Sequence, residues 1–320
     1  MNVPSPRPLK PFKTVADQLE VLRGRGLHIG DEANAVAALE RFGYYRLSGY
    51  FYPLRRTKPA GQSGRLDAFV EGASLELVVR LADFDKQLRL LALYALETIE
   101  VSVRVSVAHH LGRLKADAHQ HPSLLDGRFT APGRNGGASG YAVWVQRFEQ
   151  LCAKSKEDFI THHHDAYGGQ MPIWVAIEAW DFGLLSRFFS GLKYRDKNAV
   201  AIKYGLMDGE VLKSWIRTFN FVRNVAAHHA RLWNRVSTEI PSLPSIERCR
   251  HLAPLHQDGE ARRRMFGALT LMRFMLRTIV PASDWHERLK VHVQSFPKTD
   301  LISLDAAGFP QAWDELEIWR

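Results

Sequence analysis

Residues 215–235 read WIRTFNFVRNVAAHHARLWNR, and their pattern predicts an amphipathic helix with reactive side chains on its polar side. The apolar residues recur at spacings of four, three and four, which places them on one helical face. They are Trp215, Phe219, Val222 and Ala226. Away from that face lie Arg223 and Asn224, and His228 and His229 follow within about one turn.

Arginine and histidine in this arrangement have a use in phosphate chemistry. Arginine is a permanent planar cation that binds phosphate through two parallel hydrogen bonds. Histidine can take and give a proton near neutral pH. Together they could cleave RNA without a metal ion, histidine moving the proton and arginine stabilising charge on the phosphate. The alternative is structural, with an arginine in a surface ion pair and histidines at a helix end.

Helix geometry limits what one copy of the stretch can build. On a straight helix Arg223 and His228 are roughly 140° apart around the axis and about 7.5 Å apart along it. His229 lies roughly 120° away in the other direction. One chain therefore forms half a pocket unless the helix breaks near Ala226 and Ala227. A two-fold dimer would supply the other half, so we predict a homodimer.

Four stretches of the chain resemble a known family. Residues 223–235, RNVAAHHARLWNR, resemble the Arg-x4–6-His signature of HEPN ribonucleases, in the form carried by the Abi-like (AbiD/AbiF) abortive-infection family. Residues 172–192, PIWVAIEAWDFGLLSRFFSGL, are similar to its second block, and residues 25–54, RGLHIGDEANAVAALERFGYYRLSGYFYPL, to its N-terminal block. Residues 308–319, GFPQAWDELEIW, resemble its closing segment.

The resemblance implies an all-α fold: a HEPN-like helical bundle with an N-terminal helical region and a C-terminal helical extension. It implies a metal-independent endoribonuclease in antiphage defence, acting as a pair of domains and in some members with a structured noncoding RNA. The expected catalytic residues are Arg223, Asn224 and His228. The expected supporting residues are His229, Glu178, Glu100 and Arg104. The alternative is an RNA-binding module that does not cut.

Composition sets the broader limits. The chain has 320 residues, 46% of them hydrophobic, as in ordinary globular proteins. A formal charge of +9 favours a polyanionic partner such as RNA. Cys152 and Cys249 are far apart in the sequence and form no metal-binding pair, so we expect no metal, cofactor or disulfide. Without a long apolar run or a signal-peptide pattern, we expect a cytoplasmic protein that does not enter membranes.

The chain divides into four predicted regions. Residues 1–13 form a flexible lead-in, and residues 14–56 a helical region. Residues 75–240 form the HEPN-like domain, with a flexible loop at 113–140, and residues 241–320 a helical extension packed on it. Within 14–42 two short helices are compatible with a DNA-binding helix-turn-helix, although a plain helical hairpin is the better interpretation.

Several further basic residues are candidates for RNA contact, although charge at a helix start is usually only solvated. They are Arg46, Arg55, Arg56, Arg231, Arg262 and Arg263. Most tyrosines around the first three are expected in the core. Arg104 and His109 form a second Arg-x4-His match, but Val105 replaces the polar residue expected after the arginine. We therefore expect Arg104 to support the main site rather than to form a second one.

Overall fold

The computed structural model describes residues 9–320, so residues 1–8 of the predicted lead-in lie outside the described residues. The protein is 64% helical, with 15 α-helices and one two-stranded sheet in the described part, which confirms the all-α class. The chain divides into two units. One comprises Met1–Gln87 and Gln294–Leu304, and the other Leu88–Val293 and Asp305–Arg320. The division falls inside a long helix.

The helices of the first unit begin where the sequence places capping residues. Thr14 accepts a hydrogen bond from the Asp17 amide at 3.2 Å and donates its own amide to Asp17 at 2.9 Å, which is a complete capping box. Asp31 caps the next helix through the Asn34 amide at 2.8 Å. The elements are α1 (Val15–Gly24), α2 (Glu32–Phe42), α3 (Tyr44–Phe51), β1 (Arg55–Thr57), β2 (Arg65–Phe69) and the start of α4 (Leu75–Gly112).

The connection between α1 and α2 decides between the two interpretations of this region. It covers residues 25–31, and His28 pairs with the segment before α4, donating to Ala73 O at 3.0 Å and accepting from the Leu75 amide at 2.8 Å. A helix-turn-helix uses a turn of about three to four residues. The structure therefore favours the helical hairpin.

The stretch after α3 forms a two-stranded hairpin. Strand β2 pairs antiparallel with β1, with Arg55 opposite Phe69. The prediction of buried tyrosines holds for Tyr50 but is wrong for Tyr45, which is 90% exposed, and for Tyr52. Alternating exposure in short elements places some rings outward whatever their hydrophobicity.

The second unit continues from α4 and contains the remaining helices. They are α5 (Gly127–Thr130), α6 (Gly140–Lys154), α7 (Asp158–Tyr167), α8 (Ile173–Ala176), α9 (Phe182–Ser190), α10 (Tyr194–Ile202), α11 (Gly209–Ala227), α12 (Ala253–Gln257), α13 (Gly259–Arg263), α14 (Met265–Ile279) and α15 (Trp285–Gln294). The stretch that opened the sequence analysis ends α11, which packs against α9, α10 and α14. Its predicted apolar face is buried throughout.

Residues 113–140, predicted to form a flexible loop, contain short helical elements. They contain three short 3-10 turns and α5, and both His119 and Leu125 are buried. Leu125 also pairs with Leu192. Glycine and proline prevent a long helix, but they permit single turns that bury their side chains.

Two apolar stretches each form separate helices rather than one long helix. In residues 174–192 the helical turns stop before Trp180, which has an extended backbone, and Asp181 caps a new helix. In residues 261–279 the helix breaks at Arg264, whose ψ is −175°. At the chain's end the closing segment packs as an aromatic cluster, with ring centroids 5.3 Å apart for Trp313 and Trp319. In residues 9–320 none of the helices combines the length and apolar character that crossing a bilayer needs.

Candidate functional site

The predicted catalytic residues lie at the C-terminal end of helix α11. His228 is its C-cap, and its amide donates to Asn224 O at 3.0 Å. That bond keeps the His228 Cα on the helical path, so the separation of about 140° from Arg223 applies to it. His229 has a left-handed backbone with φ of 56°, which turns the chain away from the helix. The angle worked out for His229 on a straight helix is therefore wrong. Both imidazoles are exposed.

The side chain of Arg104, on α4, makes two hydrogen bonds and one longer ion pair. It pairs with Glu100 one turn earlier, lies 3.7 Å from the carboxylate of Glu178, and donates to Trp180 O at 2.5 Å. Glu100 and Arg104 are mostly buried. The structure thus brings together three of the four predicted supporting residues, from two distant parts of the sequence.

The positive charge of Arg223 also acts on this cluster. Burial raises the pKa of the Glu100 carboxyl, and the positive charges of Arg104 and Arg223 oppose that rise. Arg223 also donates to Asn224 Oδ1 at 3.3 Å, and Asn224 Nδ2 donates to Asn220 Oδ1 at 3.5 Å. Arg223 and Asn224 are half-buried, whereas His228 is exposed. One helix end therefore carries a half-buried guanidinium and, on a different side of the helix, a solvent-facing imidazole.

Two members of the site escaped the sequence analysis. Asn220 lies one turn before Asn224 on α11, a spacing that could have signalled it. Asp181 caps α9 by accepting a hydrogen bond from the Leu184 amide at 2.7 Å. Burial is the main cause of the raised pKa of Glu100, and the negative charge of Asp181 raises it further. A Cβ on Gly183 would lie 4.0 Å from the Asn220 side chain, so α9 begins close to α11 here. Only the folded chain reveals that proximity.

The two members of the second Arg-x4-His match have different surroundings. Arg104 is mostly buried and bonded to Glu100 and Trp180 O, while His109 is exposed one and a half turns further along α4. The N–H groups that Arg104 uses in these bonds could contact a phosphate only if the bonds broke. These contacts agree with the expectation that Arg104 supports the surroundings of Arg223, which stays a prediction.

The arginines predicted to contact RNA near the N-terminus belong to the first unit. Arg55 is mostly buried and pairs with Asp67 at 3.1 Å. Arg56 is exposed and donates to Phe69 O at 3.0 Å. Arg46 is exposed on α3. The contacts of Arg55 and Arg56 hold the hairpin together, which gives both a structural role.

The other three arginines lie in the second unit. Arg231 is half-buried just after α11 ends. Arg262 is half-buried on α13, and Arg263 is exposed and pairs with Glu260 at 3.2 Å. Arg223 and Asn224, together with Glu100, Arg104 and Glu178, are called the Arg223 cluster below. Within the described part of the chain neither Arg262 nor Arg263 makes an ion pair with this cluster.

The fold and the site define an all-α protein that gathers arginine, asparagine and histidine at the end of one buried helix. The chain belongs to the Abi-like protein family, whose model matches residues 37–234. The match confirms the family resemblance found in the sequence, and it covers Arg223, Asn224 and His228. Comparison with curated proteins and with solved structures gives no match.

Proposed function

We propose that this protein is an endoribonuclease of abortive-infection antiphage defence, and that it cleaves RNA with protein side chains rather than with a metal ion. Family membership supports the defence role. The Arg223 cluster supports the chemistry. One observation carries it: a half-buried arginine, held in the field of Glu100, lies within about two turns of an exposed histidine.

The proposed reaction is an internal transesterification. The 2′-oxygen of the RNA attacks the adjacent phosphorus, the bond from phosphorus to the 5′-oxygen breaks, and a 2′,3′-cyclic phosphate and a 5′-hydroxyl result. One imidazole accepts the 2′-hydroxyl proton and another donates a proton to the leaving 5′-oxygen. Arg223 stabilises the negative charge that develops on the phosphate, and Asn224 orients the phosphate by hydrogen bonding.

Two imidazoles acting on opposite sides of one phosphate suit a homodimer. The divergence of Arg223 and His228 on α11 leaves each chain with half of the necessary groups. In a two-fold dimer each copy would present the same surface to the other and complete the groove. Light scattering of active protein should give about twice the 36.4 kDa of the chain. Full activity from a protein that remains monomeric would contradict the shared groove.

The test of cleavage is His228→Ala with His229→Ala as its matched control, since both histidines are exposed at the same helix end. The wild type and the control should release RNA ends with a 2′,3′-cyclic phosphate, and His228→Ala should release none while binding RNA almost as well. End mapping of RNA from cells expressing each variant measures this. Loss of cutting in the control alone would move the role to His229.

The second candidate is an RNA-binding module that does not cut, which a formal charge of +9 also favours. In that case RNA purifies with both wild type and His228→Ala, and neither produces new ends. Arg223→Gln would then weaken RNA binding, because a phosphate contact would be lost. Under the nuclease proposal the same variant chiefly lowers the rate of cutting.

A further inference from the structure

A second polar cleft lies at the opposite end of α11 from the candidate cleavage site. Its volume is about 630 Å³, and its walls come from α5, α9, α10 and the first turns of α11. Lys213, in this cleft, precedes Arg223 by ten residues, which is about 15 Å along the helix. The volume is within the usual range for small-molecule sites.

The cleft carries an excess of positive charge. Four cationic side chains line it, against the two carboxylates of Asp126 and Glu210. Burial would raise the pKa of Glu210, but hydrogen bonds from Lys197 and Lys213 outweigh burial and lower it. The carboxylate of Glu210 therefore forms ion pairs with both lysines, with Lys197 Nζ at 2.5 Å. Asp126 caps α5 by accepting from the Arg128 amide at 2.9 Å.

Two arginines remain to bind a ligand. The side chains of Arg128 and Arg187 are exposed in the cleft, and neither makes an ion pair with any residue in the described range 9–320. Tyr194 lines the same cleft and is 58% exposed. Two guanidinium groups beside an accessible aromatic ring are the elements that bind a phosphate and a nucleobase together.

The walls of the cleft are fixed by close packing. The ring of Phe129 fits between Gly140 and Gly191, since a Cβ on Gly140 would lie 2.7 Å from that ring and one on Gly191 would overlap it. Gly209 likewise approaches the Lys197 backbone too closely for any side chain. The cleft is therefore part of the packed fold and not a gap between mobile side chains.

We propose that this cleft binds a nucleotide, with its phosphate between Arg128 and Arg187 and its base against Tyr194. The ligand is a free nucleoside monophosphate or one nucleotide of an RNA strand, since both present the same chemistry. Binding here does not depend on the proposed cleavage, because none of the residues that line the cleft belongs to the Arg223 cluster.

The test is calorimetric titration of the full chain with each of the four ribonucleoside monophosphates, and with adenosine and inorganic phosphate alone. The wild type should bind at least one monophosphate more tightly than adenosine or phosphate. Arg187→Gln should weaken that binding roughly tenfold, and Tyr194→Leu should weaken binding of adenosine as well. Arg113→Gln is the matched control, since Arg113 is exposed, lies in the same unit and does not line the cleft.

A short unlabelled RNA separates the two sources of the nucleotide. Displacement of a bound tetranucleotide by the monophosphate would show that the cleft holds one unit of a strand, whereas monophosphate binding with no competition from RNA would show a free ligand. Failure of all four monophosphates to bind at millimolar concentration would overturn the proposal. So would an equal loss of affinity in Arg113→Gln and Arg187→Gln. Neither failure would affect the His228 experiment.

Discussion

Lowering the pH from 8 to 5 should destabilise this protein by about 2 kcal/mol through the single side chain of His119. His119 is 1% exposed, and among the described residues neither of its ring nitrogens has a hydrogen-bond partner. Its ring packs edge-on against Phe148, with centroids 5.7 Å apart. Burial lowers the pKa of His119 from 6.5 to about 4.

The sign follows from proton uptake in the two states. Below pH 6.5 His119 is protonated in the unfolded chain, whereas in the folded chain it stays neutral down to about pH 4. The free energy of unfolding therefore falls as the pH falls through this range. The full loss, reached below pH 4, is about 3 kcal/mol, because each pKa unit is worth 1.36 kcal/mol. At pH 5 about 2 kcal/mol of that loss is already present.

Urea denaturation at both pH values measures the effect, with His119→Phe to remove the titrating group. The wild type should lose about 2 kcal/mol more than His119→Phe between pH 8 and pH 5. Phe148→Leu is the control for packing: it keeps the histidine and should lower stability by a similar amount at both pH values. An identical pH dependence of wild type and His119→Phe would refute the reasoning, because it would mean that His119 titrates alike in both states.

Three further substitutions test the packing and the site. Gly191→Ala should destabilise the fold by about 1–3 kcal/mol in urea denaturation, because the new methyl overlaps the Phe129 ring; an unchanged midpoint would contradict that wall. Arg104→Met should cost roughly 3 kcal/mol in urea denaturation at pH 8, since it leaves Glu100 buried without its partner, and the cost should shrink as the pH is lowered, because burial raises the pKa of that carboxyl. Trp319→Ala should cost about 3–5 kcal/mol by emptying the C-terminal aromatic cluster, and a thermal midpoint within a degree of wild type would rule that out.

Local signals in the sequence predicted the parts of the fold that depend on neighbouring residues. Thr14 and Asp31 cap helices because their partners lie three residues away. The apolar face of α11 is buried because its spacing matches the helical repeat. The group Arg223, Asn224 and His228 could be proposed from the sequence because its members lie close together along one helix. The family match covers the stretch that contains them.

Contacts between distant residues explain what the sequence did not reveal. The break at Arg264 accompanies a hydrogen bond from its side chain to Ala306 O at 3.0 Å, 42 residues away. The break at Trp180 exposes a carbonyl that Arg104 binds. Asp181 joins the site only because α9 starts beside α11. No spacing within a single helix encodes such pairings.

The left-handed turn at His229 has a consequence for how this position changes over generations. A side chain with φ of 56° costs roughly 1 kcal/mol relative to glycine, which adopts that conformation freely. Selection for stability alone would therefore favour glycine at position 229. A library randomised there and sorted for thermal resistance should enrich glycine. The same library sorted for protection of cells should enrich histidine only if the His229 imidazole, rather than that of His228, moves the proton. In that case the two selections would favour different residues at position 229.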